Sequence, residues 1–280
     1  MSRRPPAAHP PLSPSIHYLS PQTTHFGFTT LPLSEKSSRV ASVFTSVASN
    51  YDTMNDLMSL GIHRLWKDYF VRSLRPGSGG GQTLLDIAGG TGDIAMRLLD
   101  YATEIKGDAK TKVVVSDINP AMLDEGRRRF AGGRYMTDGR VSFLEANAED
   151  LHQVGSGTVD LYTVAFGIRN FTDKDAALRE AFRVLKPGGV FACLEFTPRL
   201  SWGALNAVYK RWSFGVIPII GEVVAGDRGS YQYLVESIER FPDQETFAKM
   251  VEAAGFVLPG RRWEDLSFGV AAIHKGIKPV

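Results

Sequence analysis

The sequence predicts an α/β protein built on a mainly parallel sheet. Three observations predict it. From residue 83 onward, short apolar runs rich in Val, Ile and Leu alternate with amphipathic helical segments. The first run ends in a glycine turn, Gly89-Gly90-Thr91-Gly92, and the second ends in an acid, Asp117. With 280 residues, 43% of them hydrophobic and 22% charged, the chain has the apolar mass for a sizeable core. That balance excludes a wholly disordered or fibrous chain.

Residues 1–34 differ from the rest. They hold no Asp or Glu, carry Arg3 and Arg4, and are rich in Pro, Ser and Thr. This is the composition of an organellar transit peptide, expected to be disordered; without an apolar stretch it does not suit a secretory signal. A plain disordered tail is the alternative. Residues 35–280 are expected to form a single domain with an N-terminal helical cap and a helical insertion at about 200–241.

The cap begins where Val40, Val43, Phe44, Val47 and Ala48 fall on one helical face. Tyr51-Asp52-Thr53-Met54-Asn55-Asp56 is polar, and a second helix is expected over Leu65–Leu74 before the flexible run 75–81. Strands are expected at Thr83–Ile87, Lys112–Ser116, Val141–Glu145, Val159–Ala165 and Val190–Phe196. Helices are expected at Asp93–Tyr101, from Pro120 to about Phe130, and at Asp173–Leu185, the last broken by Lys186-Pro187-Gly188-Gly189. Further helices follow at about 204–214, 230–241 and 244–254, with closing strands at Val257–Trp263 and Gly269–His274.

Composition removes several functions. Lys+Arg is 32 against Asp+Glu 30, so the net charge of +2 argues against nucleic-acid binding. One cysteine excludes an intrachain disulfide framework and thiolate zinc clusters, and the six histidines show no ligand spacing, so no metal is expected. Cys193 lies inside a strand and reads as a buried apolar residue. No run approaches 18 apolar residues, so no transmembrane helix is expected.

Ligands of open parallel sheets bind at the carboxyl ends of the strands. Gly89–Gly92, Asp117 and the block Ala165–Asn170 all fall there. Glycines after a strand let the backbone turn tightly and approach a ligand without a Cβ clash. Gly90-Thr91-Gly92-Asp93-Ile94-Ala95 even fits the loose dinucleotide pattern, which alone is a weak match. The acids separate the readings. Asp86 precedes the turn and Asp93 follows it; carboxylates there repel a pyrophosphate and suit a net-cationic zwitterion. Asp117 is placed to accept from a ribose diol. S-adenosylmethionine asks for both features, and Asn147-Ala148-Glu149-Asp150 supplies contacts for its adenine. A turn that serves only strand–helix packing is the bland alternative.

The runs Leu85-Asp86-Ile87-Ala88-Gly89-Gly90-Thr91-Gly92-Asp93, Ser116-Asp117-Ile118-Asn119 and Asn147-Ala148-Glu149-Asp150-Leu151 resemble the motifs of the ubiquinone/menaquinone C-methyltransferase family. More specific are Ala165-Phe166-Gly167-Ile168-Arg169-Asn170 and Ser230-Tyr231-Gln232-Tyr233-Leu234; Arg183–Gly189 and Tyr51–Asp56 also match. The resemblance runs from Val40 to the C-terminus. It implies a class I methyltransferase sheet, Rossmann-like, mainly parallel with an antiparallel closing strand, and helical additions before it and after the fifth strand. It implies that Thr91, Asp117, Asn147 and Ala148 contact S-adenosyl-L-methionine, with Asp86, Gly90 and Ile118 completing the set. Ala165 stands where bacterial members commonly have Ser, which is like the mitochondrial branch.

The same resemblance places Arg169, Asn170 and Tyr51 against a polyprenyl benzoquinol. Arg169 would stabilise a phenolate, directly or through a water, because a guanidinium is too weakly acidic to be a general base. Arg169 as a surface ion-pair partner and Tyr51 as a helix-packing aromatic are the plainer readings. The resemblance further implies a coenzyme Q biosynthesis complex at the matrix face of the inner mitochondrial membrane. The apolar residues 214–220 would touch the prenyl tail or the bilayer; core packing or a homodimer contact is the bland alternative. A methyltransferase with another lipid or small-molecule acceptor, and a scaffold subunit that binds cofactor for stability, are the competing readings.

Overall fold

The computed structural model describes residues 23–47, 61–200 and 228–280, with a few single positions between them. The described residues open with a hairpin, β1 (Thr23–Phe26) and β2 (Thr29–Pro32), followed by α1 (Leu33–Val47) and α2 (Ile62–Leu74). The sheet region then runs β3 (Thr83–Ile87), α3 (Asp93–Asp100), β4 (Lys112–Asp117), α4 (Pro120–Phe130), the short α5 (Arg134–Thr137) and β5 (Val141–Glu145). It continues through β6 (Val159–Ala165), α6 (Lys174–Val184), β7 (Leu185–Phe196), α7 (Arg228–Glu239), α8 (Gln244–Ala253), β8 (Glu264–Leu266) and β9 (Ala271–Ile277).

The seven-stranded sheet has the order β5-β4-β3-β6-β7-β9-β8. β3 pairs with both β4 and β6 in parallel, so the chain reverses its direction of growth at β3. This is the switch point whose crevice holds ligands in such sheets. β9 runs antiparallel to β7 and β8, which closes the sheet as the resemblance implied. Apolar side chains from α2, α3, α4 and α7 fill one face of the sheet, with Phe70, Leu98, Leu123 and Leu234 fully or almost fully buried. The other face is filled by α6 and α8 with Phe191, Phe247 and Phe256.

Local signals explain the helix starts. Asn119 caps α4 by accepting from the Ala121 N–H at 3.0 Å, with Pro120 in the first turn. Asp173 and Asp243 cap α6 and α8 in the same way.

Three expectations are corrected. Residues 23–34, expected to be unstructured, form β1, β2 and the start of α1. Phe26 stacks on Tyr233 of α7 with ring centres 4.2 Å apart, and the Phe28 N–H donates to Glu236 Oε2 at 2.9 Å. The aromatic contact and the carboxylate acceptor come from residues two hundred positions away, which composition cannot register. Lys186–Gly189 does not separate α6 from its strand; β7 begins at Leu185, opposite Val159, and the register to β6 shifts before Val190 pairs with Leu161. Gly188, at φ 76°, takes the bulge; its N–H donates to the Lys278 carbonyl at 2.8 Å, and the Lys278 N–H donates to the Gly189 carbonyl at 3.0 Å. Val257–Trp263 is no strand; only Val257 bridges to Ile277, and the edge strand is Glu264–Leu266. The helix expected at 204–214 and the apolar segment 214–220 lie largely outside the described residues, as do Tyr51 and residues 1–22.

Candidate active site

A cavity of about 760 Å³ opens at the carboxyl ends of β3, β4 and β6. Ala88 and Phe166 follow β3 and β6 at φ 51° and 56°, a left-handed backbone that costs a side-chain-bearing residue roughly 1–2 kcal/mol. These two sharp turns swing the chain away from the sheet and leave the crevice between them. They also touch: a Cβ on Gly167 would sit 2.5 Å from the Cβ of Ala88.

The glycine turn forms the floor. A Cβ on Gly89 would meet the Asp86 carbonyl, Asp86 Oδ2 and Val115, each at 2.9 Å. Gly90 has φ 48°, and its Cβ would meet Met122 at 2.8 Å. The Gly90 N–H donates to Asp117 Oδ2 at 3.0 Å, and the Asn119 N–H donates to Asp117 Oδ1 at 2.9 Å. The acid at the end of β4 is thereby held rigid. Burial outweighs these hydrogen bonds and pushes the Asp117 carboxyl up to about 6.

Asp86 is wholly buried, with Oδ1 accepting from the Thr163 hydroxyl at 2.7 Å and Oδ2 left without a partner. Burial pushes its carboxyl up to about 7, with Asp93 and Asp117 adding repulsion. Asp93 goes the opposite way. Burial works to raise it, yet the Lys67 ammonium at 2.9 Å and the Arg97 guanidinium hold it at about 2. Its charge is therefore already answered by the protein, which the sequence reading of a free acid did not foresee.

Of the residues expected to bind cofactor, Asp86, Gly90, Thr91, Asp117, Ile118, Asn147, Ala148 and Ala165 all line this one cavity. Asn147 Oδ1 accepts from the Glu149 N–H at 3.0 Å, which fixes the turn after β5. Asn170 lines it as well, with Oδ1 accepting from the Tyr233 hydroxyl at 2.9 Å.

Arg169 is a correction. Expected to face the quinol, it is instead fully buried behind the cavity. Nη1 donates to Glu195 Oε1 at 2.7 Å and to the Phe166 carbonyl at 2.5 Å, while Nε reaches Ser237 at 3.3 Å. Nη2 has no partner. The ion pair ties the turn after β6 to β7, the Ser237 contact ties it to α7, and Glu195 supplies a buried counter-charge.

Two contributions escaped the sequence reading. Pro32, Leu33, Ser34, Val40, Ala41 and Phe44 line the cavity from the N-terminal side, and Asn119 Nδ2 holds α1 there by donating to the Ala41 carbonyl at 3.0 Å. The apolar face Val40–Val43–Phe44 was visible; what it covers was not. Lys67 also lines the cavity. It shares the inward face of α2 with His63, Trp66, Phe70 and Val71, and a charged residue on an otherwise core-facing stripe was the signal to notice.

The comparisons agree with this geometry. Residues 33–278 match the ubiE/COQ5 methyltransferase family. The chain is 55% identical to the mitochondrial 2-methoxy-6-polyprenyl-1,4-benzoquinol methylase of Schizosaccharomyces pombe, over 92% of this chain and 85% of that one. It is 51% identical to the ubiquinone/menaquinone biosynthesis C-methyltransferase UbiE of Cereibacter sphaeroides, over 91% of this chain and 97% of that one. Among solved structures, the [4+2]-cyclase SpnF is similar at TM-score 0.59 and 19% identity, over 87% of this chain and 96% of that one. A SAM-dependent methyltransferase from Thermotoga maritima is similar at TM-score 0.55 and 18% identity, over 84% and 98%. A cyclase and a methyltransferase on one fold show why the fold alone does not carry the activity. The family match and the two relatives do carry it: this chain belongs to the ubiE/COQ5 methyltransferase family.

Proposed function

We propose that this chain binds S-adenosyl-L-methionine in the β3–β4–β6 cavity and methylates a ring carbon of 2-methoxy-6-polyprenyl-1,4-benzoquinol, a step of coenzyme Q biosynthesis. The observation that carries the cofactor reading is the buried, unpartnered Oδ2 of Asp86 beside a glycine cradle that any Cβ would fill. A carboxylate oxygen with no donor in the protein suits a ligand that brings a cation. The rigid Asp117 keeps lone pairs for a ribose diol after its two backbone bonds. Asn147 and Ala148 would border the adenine, and the methyl of Ala165 would pack where a hydroxyl would otherwise bond.

When bound, the cofactor supplies an electrophilic methyl group to a nucleophilic ring carbon. The chain's own part is to hold the acceptor and help it lose a proton, since a phenol titrates near pH ~10. Asn170 has its oxygen engaged by Tyr233, which leaves its amide N–H₂ group for an acceptor oxygen. Behind it, Arg169 is buried and does not line the cavity, so it would act on the ring oxygen only through a water at Nη2, its one nitrogen without a partner. Its larger contribution is to hold the Asn170 turn in place. Positioning and fixed charge are then the main sources of acceleration. Tyr51 keeps its proposed place at the quinol.

The setting follows from the same reading. Relatives named mitochondrial, together with the acid-free first segment, support a mitochondrial protein and a transit peptide. Thr23–Ser34 belong to the folded unit here, so the transit peptide would end before Thr23. No described helix is long and apolar enough to cross a membrane, so contact at the matrix face of the inner membrane would be peripheral. Other coenzyme Q biosynthesis proteins, and a second copy of the chain, are the proposed partners.

Calorimetric titration with S-adenosylmethionine and with NADH tests the cofactor. Binding of the former alone, abolished by Asp117→Ala, is the expected result; a folded chain that binds neither refutes it. Methylation of a short-chain quinol analogue, followed by mass spectrometry, tests the acceptor.

A further inference from the structure

The Ser230-Tyr231-Gln232-Tyr233-Leu234 run of α7 does not line the cavity, yet Tyr233 reaches a residue that does. Tyr233 is 5% exposed, and its hydroxyl donates to Asn170 Oδ1 at 2.9 Å. Packing alone asks for an apolar side chain at such a place, because a buried hydroxyl costs free energy unless it is bonded. Burial pushes the Tyr233 phenol up, against the pull of Arg169, so it stays protonated and keeps donating.

The Asn170 backbone N–H donates to the Gly167 carbonyl at 3.0 Å, which fixes the turn but not the side chain. Among the described residues, the Tyr233 hydroxyl is the partner that this side chain has. An amide turns over about its last torsion at little steric cost, exchanging an acceptor for two donors. The bond from Tyr233 therefore decides which end is offered to the cavity. With Oδ1 held, it is the N–H₂ group; with Oδ1 released, the carbonyl is free to face an acceptor oxygen and repel it.

Tyr233 is held in its turn. Phe26 of β1 stacks on it, with ring centres 4.2 Å apart and planes 17° from parallel. Gly27, at φ 55°, passes so close to Glu236 that a Cβ would overlap the carboxylate. The Phe28 N–H donates to Glu236 Oε2 at 2.9 Å, and Gln232 Nε2 steadies that carboxylate by donating to Oε1 at 2.7 Å. The Arg240 guanidinium lies 5.6 Å from the centre of the Phe28 ring. Tyr233, Glu236 and Arg240 share one face of α7, so the hairpin is seated along that face.

Resting on the quinol reading above, we propose that Tyr233 is a positioning residue for Asn170 and that the β1–β2 hairpin holds it in place. Tyr233, Phe26 and Phe28 do not line the cavity, so they act on the acceptor through Asn170.

Methylation of a short-chain quinol analogue at saturating S-adenosylmethionine, with calorimetric titration of the cofactor, tests this. The full chain is compared with Tyr233→Phe, Phe26→Ala, Asn170→Ala and the double variant at 170 and 233. Tyr233→Phe keeps the stacked ring and removes only the hydroxyl. It is expected to lower kcat roughly 3- to 10-fold, the worth of one neutral hydrogen bond, with acceptor KM and cofactor affinity within about twofold. Phe26→Ala is expected to lower kcat in the same sense and by less. In the Asn170→Ala background, Tyr233→Phe is expected to cost nothing further, because the two residues act as a unit. Full kcat in Tyr233→Phe overturns the assignment. So does a loss that persists undiminished without Asn170, or one that falls equally on cofactor affinity and makes Tyr233 a support of the whole cavity. Full kcat in Phe26→Ala overturns the part given to the hairpin. If the unaltered chain binds S-adenosylmethionine but leaves the quinol analogue unmethylated, the quinol reading itself fails, and the assignment with it.

Discussion

Replacing Asp86 with Asn gives the sharpest test of the electrostatics. The Asp86 carboxyl is held at about 7 in the fold against an ordinary 3.8. The cause is burial first, then repulsion from Asp93 and Asp117, partly offset by Thr163 and Lys67. A carboxyl raised in the folded state favours folding fully below its unfolded value and loses that contribution as pH rises toward its folded value. The loss is about 1.4 kcal/mol per pH unit, from about pH 4 to pH 7, and roughly 4 kcal/mol in all. Asn has the same shape, still accepts from Thr163, and does not titrate. At low pH the neutral acid leaves one buried O–H unpaired and the amide two N–H groups, so the variant starts level with the acid or somewhat below it, and the pH-dependent change from that baseline is the quantity to measure.

Urea unfolding of both ligand-free chains between about pH 5 and pH 8 measures the divergence. Relative to its low-pH baseline, Asp86→Asn should gain roughly 1–2 kcal/mol over the unaltered chain by pH 5, rising to roughly 4 kcal/mol above pH 7. The same variant should bind S-adenosylmethionine more weakly. A stability difference that stays flat across this range, or one that grows in favour of Asp86, would refute the argument that the carboxyl is strained by desolvation.

Three further outcomes are expected. Arg169→Met leaves Glu195 buried without its counter-charge and should cost about 3–5 kcal/mol in denaturant unfolding. Adding Glu195→Gln should return part of it, and an unchanged midpoint in the single variant would show the pair to be dispensable. Phe26→Ala removes the ring stacked at 4.2 Å on Tyr233, worth about 0.5–1.5 kcal/mol beyond buried area. Limited proteolysis should then cut the 23–32 hairpin faster, and an unaltered rate would count against its docking. Gly167→Ala forces a Cβ to 2.5 Å from that of Ala88, so overpacking of about 1–3 kcal/mol should lower the melting temperature. A neutral result would mean that the two turns can separate freely.

Much of the scaffold could be read from the chain because its causes are local. The strands at Thr83–Ile87, Val141–Glu145 and Val159–Ala165 are short apolar runs between turn residues, and their bounds agree with the structure. Asn119–Pro120, Asp173 and Asp243 mark helix starts because a cap needs only its own neighbours. The glycine turn and Asp117 were legible for the same reason: strand ends in a parallel sheet converge whatever the details of packing.

What the tertiary structure decided concerns charge and partners across long separations. Residues 23–34 have the composition of a tail, yet Tyr233 and Glu236 give them a surface to bind. Arg169 stands next to Asn170 in the chain, but Glu195, on the neighbouring strand, draws its guanidinium away from the cavity. Lys67 looks like an ordinary helix residue until α2 is laid against the sheet and its ammonium meets Asp93. Asp86 and Asp93 carry the same side chain on either side of one turn, yet one is pushed up to about 7 and the other held at about 2. Residue type sets which groups can ionise; only the solvent and the charges that folding places around them set whether they do.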